Sequence, residues 1–286
     1  MSSVGVNVPE LDSIELGLFV QALHKRHGYD FSGYAPASLK RRVRLLADQL
    51  HCKTITGLTE RMLHEPQLLP SVLEGLTVPT SDMFRDPAAF RALREQVFPL
   101  LASYPQINIW QAGCAHGQEV YSLAILLEEA GLYDRTQIFA TDLSDRALQR
   151  ASDGIYPGKD AQQWSRNYQA AGGTHSLADY CSAGYKLIKF HQRLRRHVTF
   201  AVHNLAIDGV FREAHLILCR NVLIYFSDAL QDRALALFRD SLVRGGFLCL
   251  GLRENLNQAP HAQDFLPFDA ALRIFRLAGR ADGTYA

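Results

Sequence analysis

The sequence predicts an α/β protein: a doubly wound, mostly parallel sheet, preceded by an all-helical region and interrupted by a small inserted β-subdomain. Three observations predict it. Residues 1–80 carry their apolar side chains at helical spacing. After residue 86, short apolar runs alternate with amphipathic helical stretches, the signature of βαβ units. Residues from about 157 to 198 break that alternation, being polar, glycine-bearing and too long for a plain connection.

The elements follow in order. In ELGLFVQALHKRHG, Leu16, Phe19, Val20 and Leu23 share a helical face, and Gly28 ends it. In SLKRRVRLLADQL, Leu39, Val43, Leu46 and Leu50 do the same. Further helical stretches surround Leu58, Met62 and Leu63, and run from Leu68 to Leu76. Asp86-Pro87 reads as an N-cap followed by proline at N1, opening a helix with Phe90, Leu93, Val97 and Leu100 on one face. INIWQA is a strand, GCAHGQE a glycine-bearing turn, and Val120 to Ala130 an apolar helix closed by Gly131. QIFATD and SDRALQRASDG are the next strand and helix. AHLILC, the helix from Ser227 to Arg244, GFLCLG and LRIFRLA complete the sheet. The expected division is 1–80 and 81–286, with the insertion in the second part.

Composition narrows the function. Hydrophobic residues make up 48% of the 286 and charged residues 21%, enough for a packed core. A net charge of +1 gives no global pull toward nucleic acid or membrane. The five cysteines are scattered without C-x-x-C spacing and read as free thiols in a reducing compartment, so a cytoplasmic location is expected. The histidines are too irregularly placed for a metal site.

The first strand–turn–helix carries the chemistry. Gly113 and Gly117 flank a turn at the carboxyl end of a strand, where open parallel sheets place their ligand crevice and where glycine admits close approach. The turn is not G-x-G-x-x-G, so a dinucleotide is poorly supported. Asp142 ends the second strand, where a carboxylate can accept both ribose hydroxyls of a nucleoside. Glu119, in the first helical turn, suits a positive ligand group or simply the helix N-terminus. Without a P-loop lysine motif, S-adenosylmethionine fits better than ATP.

Four segments then resemble a known family: TVPTSDMFRDP (77–87), WQAGCAHGQEVYSLAILL (110–127), IFATDLSDRALQRASDGIY (138–156) and LILCRNVLIYF (216–226). Their order and spacing are similar to those of the chemotaxis receptor methyltransferases, the CheR family. The resemblance implies a class I (Rossmann-like) methyltransferase fold and transfer of a methyl group from S-adenosylmethionine to receptor glutamates, leaving S-adenosylhomocysteine. It implies cofactor contacts at Ser81, Arg85, Gly113, Glu119, Asp142, Asn204, Leu205, Arg220 and Asn221, and places Tyr225 near the transferred methyl. It makes Arg85 and Tyr225 the candidate catalytic pair and the basic group Lys40, Arg41, Arg42 and Arg44 the candidate receptor-recognition helix. The implied partner is the cytoplasmic helical domain of a chemoreceptor, and in some family members the inserted subdomain docks a tether peptide from the receptor tail. Departures from the pattern are Pro79, Asp82-Met83 in place of aromatics, His116-Gly117-Gln118, and Leu252-Arg253 before Glu254-Asn255. Two other readings stay open: methylation of RNA or a small molecule, with basic groups on phosphates, and a non-catalytic module that senses the cofactor.

Overall fold

The computed structural model describes residues 8–77, 81–256 and 259–278. The chain divides into two compact units, Met1–Val78 with Tyr225–Gln231, and Pro79–Ile224 with Asp232–Ala286.

The first unit is helical: α1 (Val8–His27), α2 (Pro36–Gln49), α3 (Ile55–His64) and α4 (Leu69–Leu76). Its core joins Phe19 and Leu23 of α1, Val43 and Leu46 of α2, Leu58 and Met62 of α3, and Val72 and Leu76 of α4. The start of α3 is capped twice. The Thr54 side chain accepts the Gly57 N–H, and Glu15 of α1 accepts the N–H groups of Ile55 and Thr56.

The basic residues of α2 do not form one exposed face. Lys40 pairs with Asp12 at 3.4 Å, and Arg44 also binds Asp12. Arg41 is exposed, whereas Arg42 is buried and donates from Nη1 to the Leu76 carbonyl at 2.5 Å. Position 42 lies one residue from Val43 and three from Leu39 on the helix, so it falls on the flank of the apolar stripe.

In the second unit, α5 (Pro87–Ala92) and α6 (Phe98–Leu101) precede β1 (Ile107–Ala112), α7 (Gln118–Glu129), β2 (Thr136–Asp142) and α8 (Asp145–Asp153). Next come β3 (Ile155–Pro157), α9 (Ala161–Ala170), β4 (Cys181–Gly184), β5 (Leu187–Phe190), β6 (Val198–Val202) and β7 (Ala214–Cys219). After β7 come α10 (Asp228–Ser241), β8 (Leu242–Leu250), β9 (Phe265–Asp269) and β10 (Ile274–Leu277).

Seven strands form one sheet in the order β6-β2-β1-β7-β8-β10-β9. Strands β6, β2, β1, β7 and β8 are mutually parallel, and β10 runs antiparallel to both neighbours. INIWQA and AHLILC are apolar almost throughout because helices cover both faces of a central parallel strand. The order reverses at β1, and the carboxyl ends of β1, β2 and β7 meet on one edge there.

Two local readings are corrected. The helix after Asp86 does not keep one face: a π-helical stretch at Leu93–Val97 shifts the register, so Phe98 and Leu101 are buried while Leu100 is 45% exposed. Asp86 precedes the helix but its side chain makes no capping bond. That carboxylate is used elsewhere.

The stretch between β3 and β6 contains a three-stranded antiparallel sheet, β3-β5-β4, together with helix α9, which the sequence pattern did not suggest. Glu129, at the end of α7, gathers this segment. Its buried carboxylate accepts from the Tyr168 hydroxyl, the Tyr180 hydroxyl at 2.9 Å and the Arg94 guanidinium at 2.6 Å. Burial pushes its pKa up, but the two tyrosine hydroxyls, the Thr174 N–H and Arg94 outweigh that and hold it below the ordinary carboxylate value.

Candidate active site

The turn between β1 and α7 is closely packed. Gly113 has φ +70°, and a Cβ there would lie 2.5 Å from Val222 Cγ2. Gly117 has φ +86°, and a Cβ would lie 2.6 Å from the Ala151 Cβ. Both positions need glycine for conformation and for space. The Cys114 N–H donates to the Thr141 carbonyl at 2.8 Å, tying the turn to the end of β2.

Asp142 closes β2 and organises two turns at once. Its carboxylate accepts the Ala115 N–H at 2.9 Å and the Ser144 N–H at 3.0 Å. Burial raises its pKa, against the pull of these backbone donors.

Arg220, at the end of β7, is the centre of a buried charge network. Its side chain is 1% exposed. Nη1 donates to Glu119 at 2.6 Å, and Nη2 donates to both the Arg85 carbonyl and Asp86 at 2.9 Å. Gln111 of β1 donates to the other Glu119 oxygen at 2.8 Å. Burial works to lower the Arg220 pKa, and Glu119 leads the charges that overcome this and raise it. Asp86 therefore serves as a counter-charge, not as a cap, and its left-handed backbone (φ 55°) turns the carboxylate toward Arg220.

The residues after Arg220 form a turn in which Asn221 has φ 62°. Glu254, buried after β8, accepts the N–H groups of Asn221 (3.0 Å), Val222 (2.8 Å), Leu223 (2.7 Å) and Gly251. Burial raises its pKa, and the four donors oppose the rise. Sequence reasoning singled out neither Asp86 as a counter-ion nor Glu254 as a clamp. Only its place beside Leu252-Arg253 marked Glu254.

The remaining candidates are placed as follows. Ser81 Oγ accepts the Glu119 N–H at 3.3 Å, next to the start of α7. Arg85 is half-buried, and among the described residues its guanidinium has no hydrogen bond or ion pair. Asn204 and Leu205 are buried just beyond β6, with Asn204 Oδ1 accepting the Ala206 N–H at 2.9 Å. The His116 carbonyl accepts from the Tyr156 hydroxyl at 2.6 Å. Pro79 lies outside the described residues.

Tyr225 groups with the helical unit. Arg42 covers its ring at 4.0 Å from the centroid, and its carbonyl accepts the Ala35 N–H at 2.9 Å. The second unit thus gathers Ser81, Gly113, Glu119, Asp142, Arg220 and Asn221 around its strand ends; Tyr225 belongs to the first unit. No group of three or more His, Cys, Asp or Glu side chains is placed to hold a metal among the described residues.

These residues suit a nucleoside with a charged amino-acid end. The strand-end carboxylate of Asp142 can accept hydroxyls, the glycine turn admits close approach, and Arg220 and Gln111 fix the Glu119 carboxylate beside it. Gln111 Oε1 and Gln118 Oε1 are buried acceptors without a hydrogen-bond partner among the described residues, which an ammonium or amine donor would satisfy.

Residues 79–272 match the family described as CheR methyltransferase, SAM binding domain, and residues 14–77 match CheR methyltransferase, all-alpha domain. The chain is 46% identical over 263 residues to the protein named Cher3 of Pseudomonas putida KT2440, covering 92% of this chain and 96% of that one. It is 30% identical over 263 residues to chemotaxis protein methyltransferase 1 of Pseudomonas aeruginosa PAO1, covering 85% and 90%. A 104.1 kDa protein of Rhodobacter capsulatus is 31% identical over 288 residues, and there the chain spans only 29% of the relative's length.

Proposed function

We propose a substrate from a plain premise: this chain belongs to the CheR methyltransferase family, in its SAM-binding and all-alpha domains alike, and it is an S-adenosylmethionine-dependent methyltransferase. The acceptor is the side-chain carboxylate of glutamates on the cytoplasmic helical domain of a chemoreceptor. Relatives named chemotaxis protein methyltransferases support this reading. The reaction belongs in the cytoplasm, consistent with five free cysteines.

When bound, S-adenosylmethionine supplies an electrophilic methyl group to a carboxylate that is already ionised at neutral pH (glutamate, about 4.3), giving a methyl ester and S-adenosylhomocysteine. No strong general base is required of the protein. Its work is positioning and charge management. Asp142 would accept the ribose hydroxyls. Glu119, fixed by Gln111 and Arg220, would balance the positive amino end. Arg85 offers a fork to the carboxylate of the cofactor's amino-acid end. Asn204 and Leu205 would border the adenine. Tyr225 orients the acceptor oxygen.

The single observation that carries this assignment is Arg85. It is a half-buried guanidinium without a partner among the described residues, on the segment anchored by Arg220 and Asp86.

Residues 1–80 act as the receptor-recognition domain, with Lys40, Arg41 and Arg44 as its basic contacts and Arg42 inside. The insertion would take a receptor tether peptide, a reading supported by the edge position of β4 in its sheet and the cavity of about 820 Å³ beside it.

The test is transfer of labelled methyl from S-adenosylmethionine to a purified receptor cytoplasmic fragment. Label released as methanol by mild base identifies carboxyl esters. Label that stays bound after base, or that goes only to RNA, removes the glutamate reading.

A further inference from the structure

The segment carrying Ser81 and Arg85 is held from outside by the inserted helix. Trp164 of α9 donates from its indole nitrogen to Asp82 Oδ1 at 2.6 Å, and the same oxygen accepts the Met83 N–H at 2.9 Å. Asn167, one turn later on α9, donates to the Met83 carbonyl at 3.0 Å. Ser122 of α7 accepts the Phe84 N–H at 2.9 Å.

Phe84 is fully buried, with its ring 5.5 Å from Phe90 and 5.3 Å from Tyr168 of α9. The backbone is left-handed at Phe84 (φ 49°) and again at Asp86 (φ 55°), on both sides of Arg85. Side-chain-bearing residues stay in that region only where their surroundings over-determine it. Here the surroundings are Arg220 on one side and α9 on the other. Asp82 stands where the family resemblance places an aromatic, so this polar anchor belongs to this chain's own version of the segment.

We propose that Asp82 and Trp164 are positioning residues for cofactor binding: their hydrogen bond sets the strap from Ser81 to Asp86 so that the Arg85 fork is aimed at the cofactor's carboxylate. The inserted segment is thereby part of the cofactor site without touching the ligand. A bidentate fork depends on aim, so a strap released at Asp82 keeps its charge and loses its geometry. The proposal rests on the reading that Arg85 holds that carboxylate.

The experiment is calorimetric titration of the full chain with S-adenosylhomocysteine, with thermal melting of each variant in parallel. Arg85→Ala tests the underlying reading and is expected to weaken binding at least tenfold. Trp164→Phe removes the donor and keeps an aromatic ring. Asp82→Ala removes the acceptor from the strap side, where the residue is only half-buried. Each is expected to weaken binding about fivefold to tenfold, with the double variant no weaker than either alone. Asp82→Asn keeps the acceptor oxygen and is expected to bind within twofold of wild type.

Wild-type affinity in Asp82→Ala and Trp164→Phe, with Arg85→Ala impaired, overturns the proposal and leaves the Arg85 reading standing. Unchanged binding in Arg85→Ala overturns both. A purely structural role would lower the melting temperature and leave the affinity alone. If Trp164→Phe does not fold, the contrast between Asp82→Ala and Asp82→Asn decides alone: equal loss in the two overturns the proposal.

Discussion

The Arg42 guanidinium lies over the Tyr225 ring, 4.0 Å from its centroid, with two of its nitrogens, Nε and Nη2, buried and without a hydrogen-bond partner among the described residues. A buried cation lacking a counter-charge costs stability, and burial lowers its pKa accordingly. Its stacking and its bond to Leu76 offset part of that cost. Arg42→Met keeps the packing of the stem and removes the unpaired donors. We expect its stability to stay within about 1 kcal/mol of wild type, since apolar replacements of buried charges are often neutral or better. Arg42→Ala, which empties the space beside the ring, should lose about 2 kcal/mol. Urea denaturation of the two variants checks this, and equal loss in both would contradict it.

Arg220→Met should behave in the opposite way. It strands Glu119 and Asp86, which are oriented toward a buried cation. Breaking a buried pair by removing one partner costs on the order of 3–5 kcal/mol. Loss of measurable S-adenosylhomocysteine binding should accompany it. Arg220→Lys should rescue poorly, because one ammonium cannot reproduce a planar fork that reaches Glu119, Asp86 and the Arg85 carbonyl.

The approach of Gly113 to Val222 gives a second-site test. Gly113→Ala places a methyl 2.5 Å from Val222 Cγ2 on a left-handed backbone. It should destabilise by about 1–3 kcal/mol through overpacking and strain. Val222→Ala in the same chain should recover the overpacking part and leave the backbone part. Additive losses in the double variant would show that the clash is not the cause.

Glu129 supplies a pH prediction whose sign is fixed by its lowered pKa. A carboxylate held below its ordinary value of 4.5 adds stability above that value and loses it as pH falls through the lowered one. Glu129→Gln should therefore flatten the acid limb of the stability curve, measured by melting between neutral and acid pH. It should also cost about 2–4 kcal/mol at neutral pH, because Arg94 loses its carboxylate partner and keeps only the Gly172 carbonyl. An unchanged acid limb would count against the role given to Glu129.

Asp142 titrates the other way. Burial raises its pKa, so its ionised form is lost at higher pH than for an ordinary aspartate near 3.8. Folding is eased as this carboxylate protonates, yet an acceptor for ribose hydroxyls is lost. S-adenosylhomocysteine affinity should fall with acidification through the raised pKa, while Asp142→Asn should bind weakly at every pH. Calorimetry across acid to neutral pH reads both. A pH-independent wild-type affinity would remove Asp142 from ligand binding.

The sequence by itself determined what local periodicity and strand ends can specify. INIWQA, QIFATD and AHLILC read as strands because they are short apolar-rich runs set between helical stretches, and helices between them impose parallel pairing. Gly113, Glu119 and Asp142 stood out because glycine turns and acids at strand ends are local features. Only the tertiary structure decided the partners. Asp86 looked like a cap, but Arg220 arrives from a distant strand and a charge pair inside protein outweighs a capping bond. Arg42 belonged to a basic run, but the flank of α2 on which it falls is packed against Tyr225. Trp164 carried no local signal, and Glu254 none of its role beyond its place beside Leu252-Arg253, since their work is done on backbone and side-chain groups far away in the chain. A sequence records which residues are apolar or charged along one axis, whereas desolvation and hydrogen-bond partnership depend on neighbours that only folding supplies.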